Sequence, residues 1–583
     1  MNEPMHRFKY TKLTSREIAQ KLVPAAAGPA CASEYSDMLA GRSLKIVTDN
    51  NGPVLSYTFK DRRRLAVAEG SGAPVESGYG ALALKQVVLF SHLLPKTEKG
   101  YNVVIDLKTN LATVFEVWFS GGKDSGGQAM DDREVQRQIY YGYVETAGQE
   151  APKECHHLTN RVEGKGFHWK QDTGIETLEF YPSIISSSFV ELTRHVDDLG
   201  YCAPSGFIII DDKTFIYDRT ECEFSGIHTM YAMDLFTMKQ VGVRLGFNEK
   251  DQLEYYIFRG DGEMVGQLAI LEPFRDHGDK INLGPGRPPA NAKGDRPVYR
   301  PLRTFPPMTE EQVYQAVQES TSLFREDPGP YEMIAGNTLP LSDFLVGKEF
   351  TLRYDNGAAW NYSIAGNKQL RWRKEGEAQW HEEAYRAFEA DEALIFFSHL
   401  HSGSRPAESV QIALDYNNGL TTCVHSKLGS DYRANEVGYK IVFGVMEIKG
   451  LEAPKYIRHA FTDELVGRAF SWSYFDNMTS LHVYTTPHSA SWTIYMDNGA
   501  LGMHWSAPCH YVKLRDGIYL FNLVEEACDG VETCIVINTK TMHDCGFGYS
   551  GGDRGLSLGA IGAIARNIGQ YDVKRFFGPR PRP

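Results

Sequence analysis

The chain has 583 residues, which is too long for a single hydrophobic core and predicts about three to five domains. It has 61 basic and 74 acidic side chains, and the resulting net charge of −13 makes nucleic acid and anionic membranes poor partners. No run of roughly 18 apolar residues occurs and the N-terminus has no apolar stretch, so we expect a cytoplasmic protein without a membrane span or secretory signal.

The first predicted element is a short helix. Thr14 and Glu17 have the spacing of a capping box, in which each side chain accepts a hydrogen bond from the other residue's backbone. The same spacing recurs at Thr309 and Gln312, where we predict a second helix.

Short alternating strands occupy most of the remaining chain. Asn-Gly pairs, which favour two-residue type I′ hairpin turns, separate several strand-like runs at Asn51-Gly52, Asn356-Gly357, Asn418-Gly419 and Asn498-Gly499. Strands every eight to twelve residues or so indicate a barrel or sandwich. Units of about 110 to 130 residues fit up-and-down antiparallel barrels of about eight strands.

The second half of the chain repeats the first. Val88–Leu93 recurs as Ile395–Leu400, and Glu150–Lys153 recurs unchanged as Glu452–Lys455. Further matched pairs are Tyr57 with Tyr362, His92 with His399, Asp106 with Asp415, Phe167 with Phe470, Trp169 with Trp472, and Tyr181 with Tyr484. The repeat therefore predicts two copies of a two-unit module.

The predicted fold is all-β, with four small antiparallel barrels arranged as two duplicated halves and few short helices. The predicted segments are an N-terminal segment with a short helix (1–38), a first barrel (39–149), a second barrel (150–275), a Pro- and Gly-rich linker with a helix (276–340), a third barrel (341–451), a fourth barrel (452–575) and a disordered tail (576–583).

Sequence motifs for several common chemistries are absent. There is no GxxxxGK[ST] phosphate loop, no dinucleotide fingerprint between a strand and a helix, and no HExxH. The nine cysteines lack metal-type spacing, and the adjacent His156 and His157 would point to opposite faces of a strand. We therefore expect no cofactor and no bound metal.

Two histidines and two tyrosines that match between the halves are the candidate catalytic residues. His399 with Tyr362 is the preferred proton-transfer pair, and His92 with Tyr57 is its counterpart. The alternative is structural: a histidine that hydrogen-bonds a neighbouring strand and a tyrosine that packs in the core. Asp106 and Asp415 also match, but each precedes a hairpin, which favours a role in the turn.

The fourth unit has the densest group of aromatic and polar residues. We predict a ligand-binding set of Trp472, Tyr474, Tyr484, His504 and Trp505 there, although a large core would have the same composition. The halves also diverge, since Glu116 falls where the second half has His425, and Tyr217 where it has Trp505. Because such divergence can mean that the pockets of the two halves bind different ligands, we also predict Glu116 and His425 to be ligand-binding residues.

Three short segments carry a resemblance to a known family: Leu345–Phe350, Phe397–Leu400 and Leu465–Phe470. With the two-unit module, they make the chain similar to the MoaF-like (molybdenum cofactor biosynthesis protein F-like) family. The resemblance implies lipocalin-like (calycin) barrels, an N-terminal and a C-terminal one in each half. Calycin-type proteins include carriers and cofactor-free enzymes such as phenolic acid decarboxylases, so the fold does not select an activity.

Two functional hypotheses follow. In the first, the chain is a cofactor-independent lyase, isomerase or cyclase of specialised metabolism. A barrel would hold a small apolar oxygenated metabolite while His and Tyr move a proton. In the second, it is a non-catalytic small-molecule-binding or scaffold protein of lipocalin-like type. Duplication would then supply extra pockets, or two halves of one chain that pack as the subunits of a dimer do. Either hypothesis is compatible with a homodimer.

Overall fold

Four antiparallel barrels of eight strands each make up the protein, as seen in a computed structural model. The all-β, four-barrel fold predicted from the sequence is confirmed. No helix in the described part of the chain is long and apolar enough to cross a membrane. The structure describes residues 11, 13–49, 51–121, 133–193, 199–221, 225–248, 250–269, 337–401, 403–404, 408–428, 437–475, 478–496, 501–525, 531–552 and 555–578.

Helix α1 spans Ser15–Ala25 and begins with the predicted capping box. The Thr14 hydroxyl accepts from the Glu17 amide at 3.3 Å, and the Glu17 carboxylate accepts from the Thr14 amide at 2.8 Å. Ile18 and Leu22, one turn apart, are buried against the first two barrels. The second predicted helix, at 309–312, lies outside the described residues.

The first half contains two barrels. Strands β2 to β9 close the first barrel, and β11 to β18 close the second, while short strands β1 and β10 pair with the second barrel's β18 and β14. The strands are β1 (Ala30–Cys31), β2 (Ser43–Thr48), β3 (Leu55–Phe59), β4 (Arg64–Glu69), β5 (Val75–Leu84), β6 (Val87–Leu93), β7 (Lys99–Asp106), β8 (Leu111–Gly121), β9 (Arg133–Val144), β10 (His157–Leu158), β11 (Lys165–Gln171), β12 (Glu176–Phe180), β13 (Ser186–Glu191), β14 (Tyr201–Ile209), β15 (Thr214–Thr220), β16 (His228–Asp234), β17 (Lys239–Phe247) and β18 (Leu253–Gln267).

The second half has the same order of barrels. Strands β19 to β26 close the third barrel, and β28 to β34 with β36 close the fourth, with β27 and β35 as additional strands. The strands are β19 (Glu349–Tyr354), β20 (Ala359–Ser363), β21 (Gln369–Lys374), β22 (His381–Asp391), β23 (Leu394–His401), β24 (Glu408–Asp415), β25 (Leu420–Leu428), β26 (Val437–Glu447), β27 (Ala460–Phe461), β28 (Arg468–Phe475), β29 (Met478–Thr486), β30 (Ser489–Met496), β31 (Leu501–Arg515), β32 (Ile518–Glu525), β33 (Val531–Asn538), β34 (His543–Gly552), β35 (Gly555–Ile561) and β36 (Ile564–Gln570).

The segments between and after the barrels are only partly described. Most of the predicted linker, up to residue 336, lies outside the described residues. In the predicted disordered tail, Phe576 ends a short 3-10 helix, Lys574–Phe576, and residues 577 and 578 are also described.

The barrels contact one another in the order first, second, fourth, third. Because successive strand residues face opposite sides, each strand gives one row of side chains to its barrel interior, and the outer rows of several strands form the seams between barrels. Ring contacts mark the three seams, with centroid distances of 6.2 Å for Phe115 and His228, 4.9 Å for Phe180 and Tyr571, and 5.4 Å for Phe396 and Phe547.

The hairpin loops differ from the predicted two-residue type I′ turns. That turn needs positive φ at both central residues. At Asn356-Gly357 and Asn418-Gly419 only the glycine has a positive φ, which is 87° for Gly357 and 67° for Gly419. At Asn51-Gly52 only the asparagine has a positive φ, 58°. The prediction of type I′ turns is therefore wrong at these three sites, and Asn498-Gly499 lies outside the described residues.

The strand register also corrects one correspondence between the halves. Tyr217 pairs with Phe207 and Tyr231, in the second barrel. In the fourth barrel, Phe521 holds this position, since it pairs with the equivalent residues of the neighbouring strands. The expected match of Tyr217 with Trp505 is therefore wrong. Glu116 and His425 are equivalent, as predicted. Glu116 lies five residues after Leu111, the first residue of β8, and His425 lies five residues after Leu420, the first residue of β25.

Candidate functional site

The structure brings together both tyrosine–histidine pairs named from the repeat. In the first barrel, the Tyr57 hydroxyl lies 3.1 Å from His92 Nε2, and in the third barrel the Tyr362 hydroxyl lies 3.1 Å from His399 Nε2. His399 Nδ1 is 3.1 Å from the Leu400 carbonyl oxygen. A carbonyl can only accept, so Nδ1 carries the proton and Nε2 accepts from Tyr362.

Burial sets the protonation state of both pairs. The two histidines are fully buried, and burial lowers their pKa to about 3 for His92 and about 4 for His399. Burial also raises the pKa of Tyr57 and Tyr362 well above the usual value. Each pair is thus neutral at pH 7. Proton transfer by these residues stays a prediction, and the hydrogen bonds and burial also agree with the structural alternative.

The predicted ligand-binding residues Glu116 and His425 each pair with a charge on the preceding strand. Glu116 binds Lys99 at 2.7 Å, and His425 Nε2 lies 2.7 Å from Glu408. Lys99 and Glu408 hold equivalent positions. The acidic residue of the pair is therefore on β8 in the first barrel and on β24, the equivalent of β7, in the third. The two barrel ends therefore differ in chemistry: one is closed by an ion pair, and the other presents imidazole and carboxylate.

The aromatic set of the fourth barrel is divided between two faces. Trp472, Tyr474 and Tyr484 belong to its interior, where the Tyr484 ring lies 5.3 Å from Phe521. His504 instead lies on the outer face of its strand, where Ser506, two residues on, donates to the Gly200 carbonyl of the second barrel at 3.0 Å. The neighbouring Trp505 faces the other way and stacks on Trp492 at 6.3 Å. A single site with all five predicted residues is thus not formed.

Sequence reasoning missed a row of charged side chains inside the second barrel. Arg219 donates to Glu179 at 2.7 Å and lies 3.8 Å from Glu221. Arg244 donates to Glu221 at 3.2 Å and to Glu254 at 2.7 Å. Four of these five residues are under 10% exposed. Burying charges is costly unless they are paired, and here each lies beside one of opposite sign.

Tyrosine hydroxyls surround one end of this row. Tyr181 donates to Glu179 at 2.9 Å, and the Tyr231 hydroxyl also donates to that carboxylate. Tyr217 lies 2.6 Å from the Ser187 hydroxyl. Burial and the Glu179 charge raise the pKa of Tyr181 and Tyr231 well above the usual value, so both phenols keep their protons at neutral pH.

Arg219 stays charged in this setting. Burial disfavours its charge, but the adjacent Glu179 carboxylate keeps the pKa of the guanidinium well above its usual value. Its guanidinium carbon also lies 3.9 Å from the centre of the Phe189 ring, a cation–π contact. The second barrel thus holds a permanent cation, a carboxylate and phenol donors within one interior.

The fourth barrel does not repeat this group. The register places His482 where the second barrel has Glu179, Leu523 where it has Arg219, and Ile535 where it has Tyr231. The sequence did contain a signal for these charges. Tyr217, Arg219 and Glu221 occupy alternate positions at the end of β15 and just after it, on the strand face that is usually apolar because it points into the barrel.

Comparison with known proteins agrees with this architecture. Residues 332–430 match the family model of the MoaF N-terminal domain, and residues 459–571 match that of the MoaF C-terminal domain. These ranges contain seven of the eight strands of the third barrel and all strands of the fourth. No curated protein matches the sequence. The family match and the four barrels together support a small-molecule-binding barrel protein, and residues 332–571, in the second half of the chain, are similar to the MoaF family.

Proposed function

We propose that the second barrel is the reaction site of a cofactor-independent lyase or isomerase acting on a small apolar oxygenated metabolite. The observation that carries the proposal is the Glu179 carboxylate, which accepts hydrogen bonds from Tyr181, Tyr231 and Arg219 inside the barrel. A carboxylate and phenols are proton-transfer groups, and a fixed cation stabilises negative charge that develops on an oxygen.

These groups suffice for an isomerisation without another reactant. Glu179 removes a proton from a ligand carbon next to a carbonyl group, and the electron pair moves onto the carbonyl oxygen beside the Arg219 guanidinium. The proton then returns to a different carbon, directly or through Tyr181, whose hydroxyl donates to Glu179 at 2.9 Å. In a lyase, the same first step is followed by departure of a leaving group as a carbon–carbon double bond forms.

The surroundings suit such chemistry in two ways. Aromatic side chains of the interior, including Phe167, Trp169 and Phe207, provide apolar walls for a ligand. Glu179 and Arg219 are 2% and 3% exposed, and charges act more strongly on a reacting group in such a dry site. A positioned acid or base in this setting contributes roughly 10²- to 10⁴-fold to the rate.

The second candidate function is ligand binding without reaction. The same row of charges favours it, because Glu221 and Glu254 already pair with Arg244 and so form a closed network. Such a network can fix a barrel's shape and orient an oxygenated ligand without any proton moving.

Turnover by the purified full chain distinguishes the two functions. The chain is incubated with a panel of small aromatic and terpenoid acids, phenols and ketones, and products are followed by NMR and mass spectrometry. We expect an isomer or elimination product without added cofactor. Glu179→Gln should reduce the rate about 10²-fold or more, because it removes the proposed base and keeps the size of the side chain.

Glu464→Gln is the matched control, since it replaces a carboxylate of the fourth barrel that accepts a 2.8 Å hydrogen bond from Tyr519. It should leave the rate unchanged. Binding of a panel compound without any product would favour the carrier function. A product whose rate is the same in Glu179→Gln would place the reaction elsewhere.

A further inference from the structure

A separate cluster of metal-ligand side chains lies at one end of the third barrel. His401 ends β23, Glu408 begins β24, and His425 lies on β25, so three consecutive strands contribute one residue each. One ligand atom from each residue lies within 4.8 Å of the others. Six and sixteen residues separate them along the chain, which is why spacing gave no metal motif and the expectation was that no metal is bound.

The imidazole of His401 has one nitrogen, Nε2, without a hydrogen-bond partner among the described residues. Its side chain is 5% exposed. The ring stacks on Trp372 with a centroid distance of 3.8 Å, which fixes its plane. A buried imidazole nitrogen without a hydrogen-bond partner, on a ring held in one plane, is what a metal ion requires of its ligand.

The other two groups are reachable from solvent. The side chains of His425 and Glu408 are 33% and 29% exposed and hydrogen-bond each other at 2.7 Å. A metal ion could therefore approach from the barrel end and replace the hydrogen atom shared between His425 Nε2 and the Glu408 carboxylate. Ligand atoms around a tetrahedral zinc ion lie about 3.4 Å apart, so small side-chain rotations would complete the set.

We propose that His401, Glu408 and His425 bind one divalent transition-metal ion of the zinc type. Two imidazoles and one carboxylate leave a fourth position open for water or a ligand oxygen, as in zinc sites of the catalytic kind. The site is independent of the reaction proposed for the second barrel. It is also specific to the second half, since the first barrel has Lys99 and Glu116 in place of Glu408 and His425.

Zinc binding to the tag-free full chain tests the proposal. After dialysis against a chelator, zinc chloride is titrated by calorimetry, and cobalt chloride is followed by its visible absorption. We expect one tight site per chain with the cobalt bands of a four-coordinate ion. His401→Gln should weaken zinc binding at least 100-fold, whereas His157→Gln, a partly buried histidine of the first half, should not change it.

A second variant guards against misfolding. The double substitution Glu408→Lys with His425→Glu installs the residues of the first barrel, whose ion pair already forms in this fold. It should keep the circular dichroism spectrum and lose zinc binding. The proposal is overturned if the folded wild type binds no zinc at micromolar concentrations, or if zinc binding persists in both variants.

Discussion

Arg219 donates a 2.7 Å hydrogen bond to Glu179 inside the second barrel, and both side chains are almost fully buried. The equivalent positions of the fourth barrel hold Leu523 and His482. The two halves therefore share their strands and seams but not the chemistry of their interiors. Duplication has kept the barrel walls, while the arginine–glutamate pair occurs in one interior and not in the other.

Removing one charge of this pair should destabilise the protein. Arg219→Leu leaves the buried Glu179 without its ionic partner, so we expect the free energy of unfolding to fall by about 3 to 5 kcal/mol. Urea denaturation followed by circular dichroism measures the change. Replacing both residues by leucine should cost less than Arg219→Leu alone, and an equal or larger cost for the double variant would show that the two charges are not coupled.

The tyrosine–histidine pairs should contribute to stability in both halves. Tyr57→Phe and Tyr362→Phe each remove the hydrogen-bond partner of a buried histidine nitrogen, which typically costs about 1 to 3 kcal/mol. Thermal and urea unfolding of the two single variants check this. His399→Gln then separates the two roles of that residue: lost turnover with an unchanged melting temperature would show catalysis, and lost stability with turnover intact would show a core histidine.

Stability should fall as the pH drops below about 6.5. Burial lowers the pKa of His92, His482 and His504 to about 3 in the folded protein. The unfolded chain, whose histidines titrate near 6.5, therefore binds more protons, and the stabilisation present above that pH is lost as pH falls towards 3. Each such histidine contributes up to about 1.4 kcal/mol per pH unit. Urea midpoints measured from pH 7.5 to 4.5 test this; a midpoint that stays constant over that range would contradict it.

An ion pair links the third and fourth barrels and should matter more than surface pairs. Arg515 donates to Asp415 at 2.7 Å and to Asp391 at 3.0 Å. Burial would raise the pKa of Asp415, but hydrogen bonds from Arg515 and Asn418 hold it below the usual value. We expect Arg515→Met to lower the free energy of unfolding by about 3 kcal/mol, because the Asp415 side chain is fully buried.

The control for that prediction is Arg353→Met. Arg353 pairs with Glu375 on the surface, where both side chains are about half exposed, 42% and 51%. Exposed pairs of this kind contribute about 1 kcal/mol or less. Similar losses in the two arginine variants, measured under the same conditions, would argue against a special role for the link between barrels.

Much of the fold could be predicted because its signals are local or repeated. The Thr14 capping box and the matching of Tyr57 with Tyr362 need only short stretches of sequence, and a shared strand position places each tyrosine near its histidine. The turn types failed because Gly419 alone supplies the left-handed residue of a loop that runs four residues from Asp415 to Leu420.

The candidate sites were harder to predict because they depend on register across several strands. Glu179 and Arg219 are forty residues apart, and only barrel closure brings them into contact. The same is true of His401 and His425, whose approach depends on the pairing of three strands. A charged residue on an apolar face can be seen in a sequence, but its partner cannot be named until the register is known.

Ligand affinity of an exchange variant tests the central claim most directly. Glu179→His with Arg219→Leu gives the second barrel the residues of the fourth and leaves no unpaired charge at either position. The affinity of a panel compound for this variant and for the wild type is measured by calorimetry. We predict binding at least tenfold weaker in the variant, with the folded spectrum retained. Equal affinity in the two proteins would contradict the assignment of the site to the second barrel.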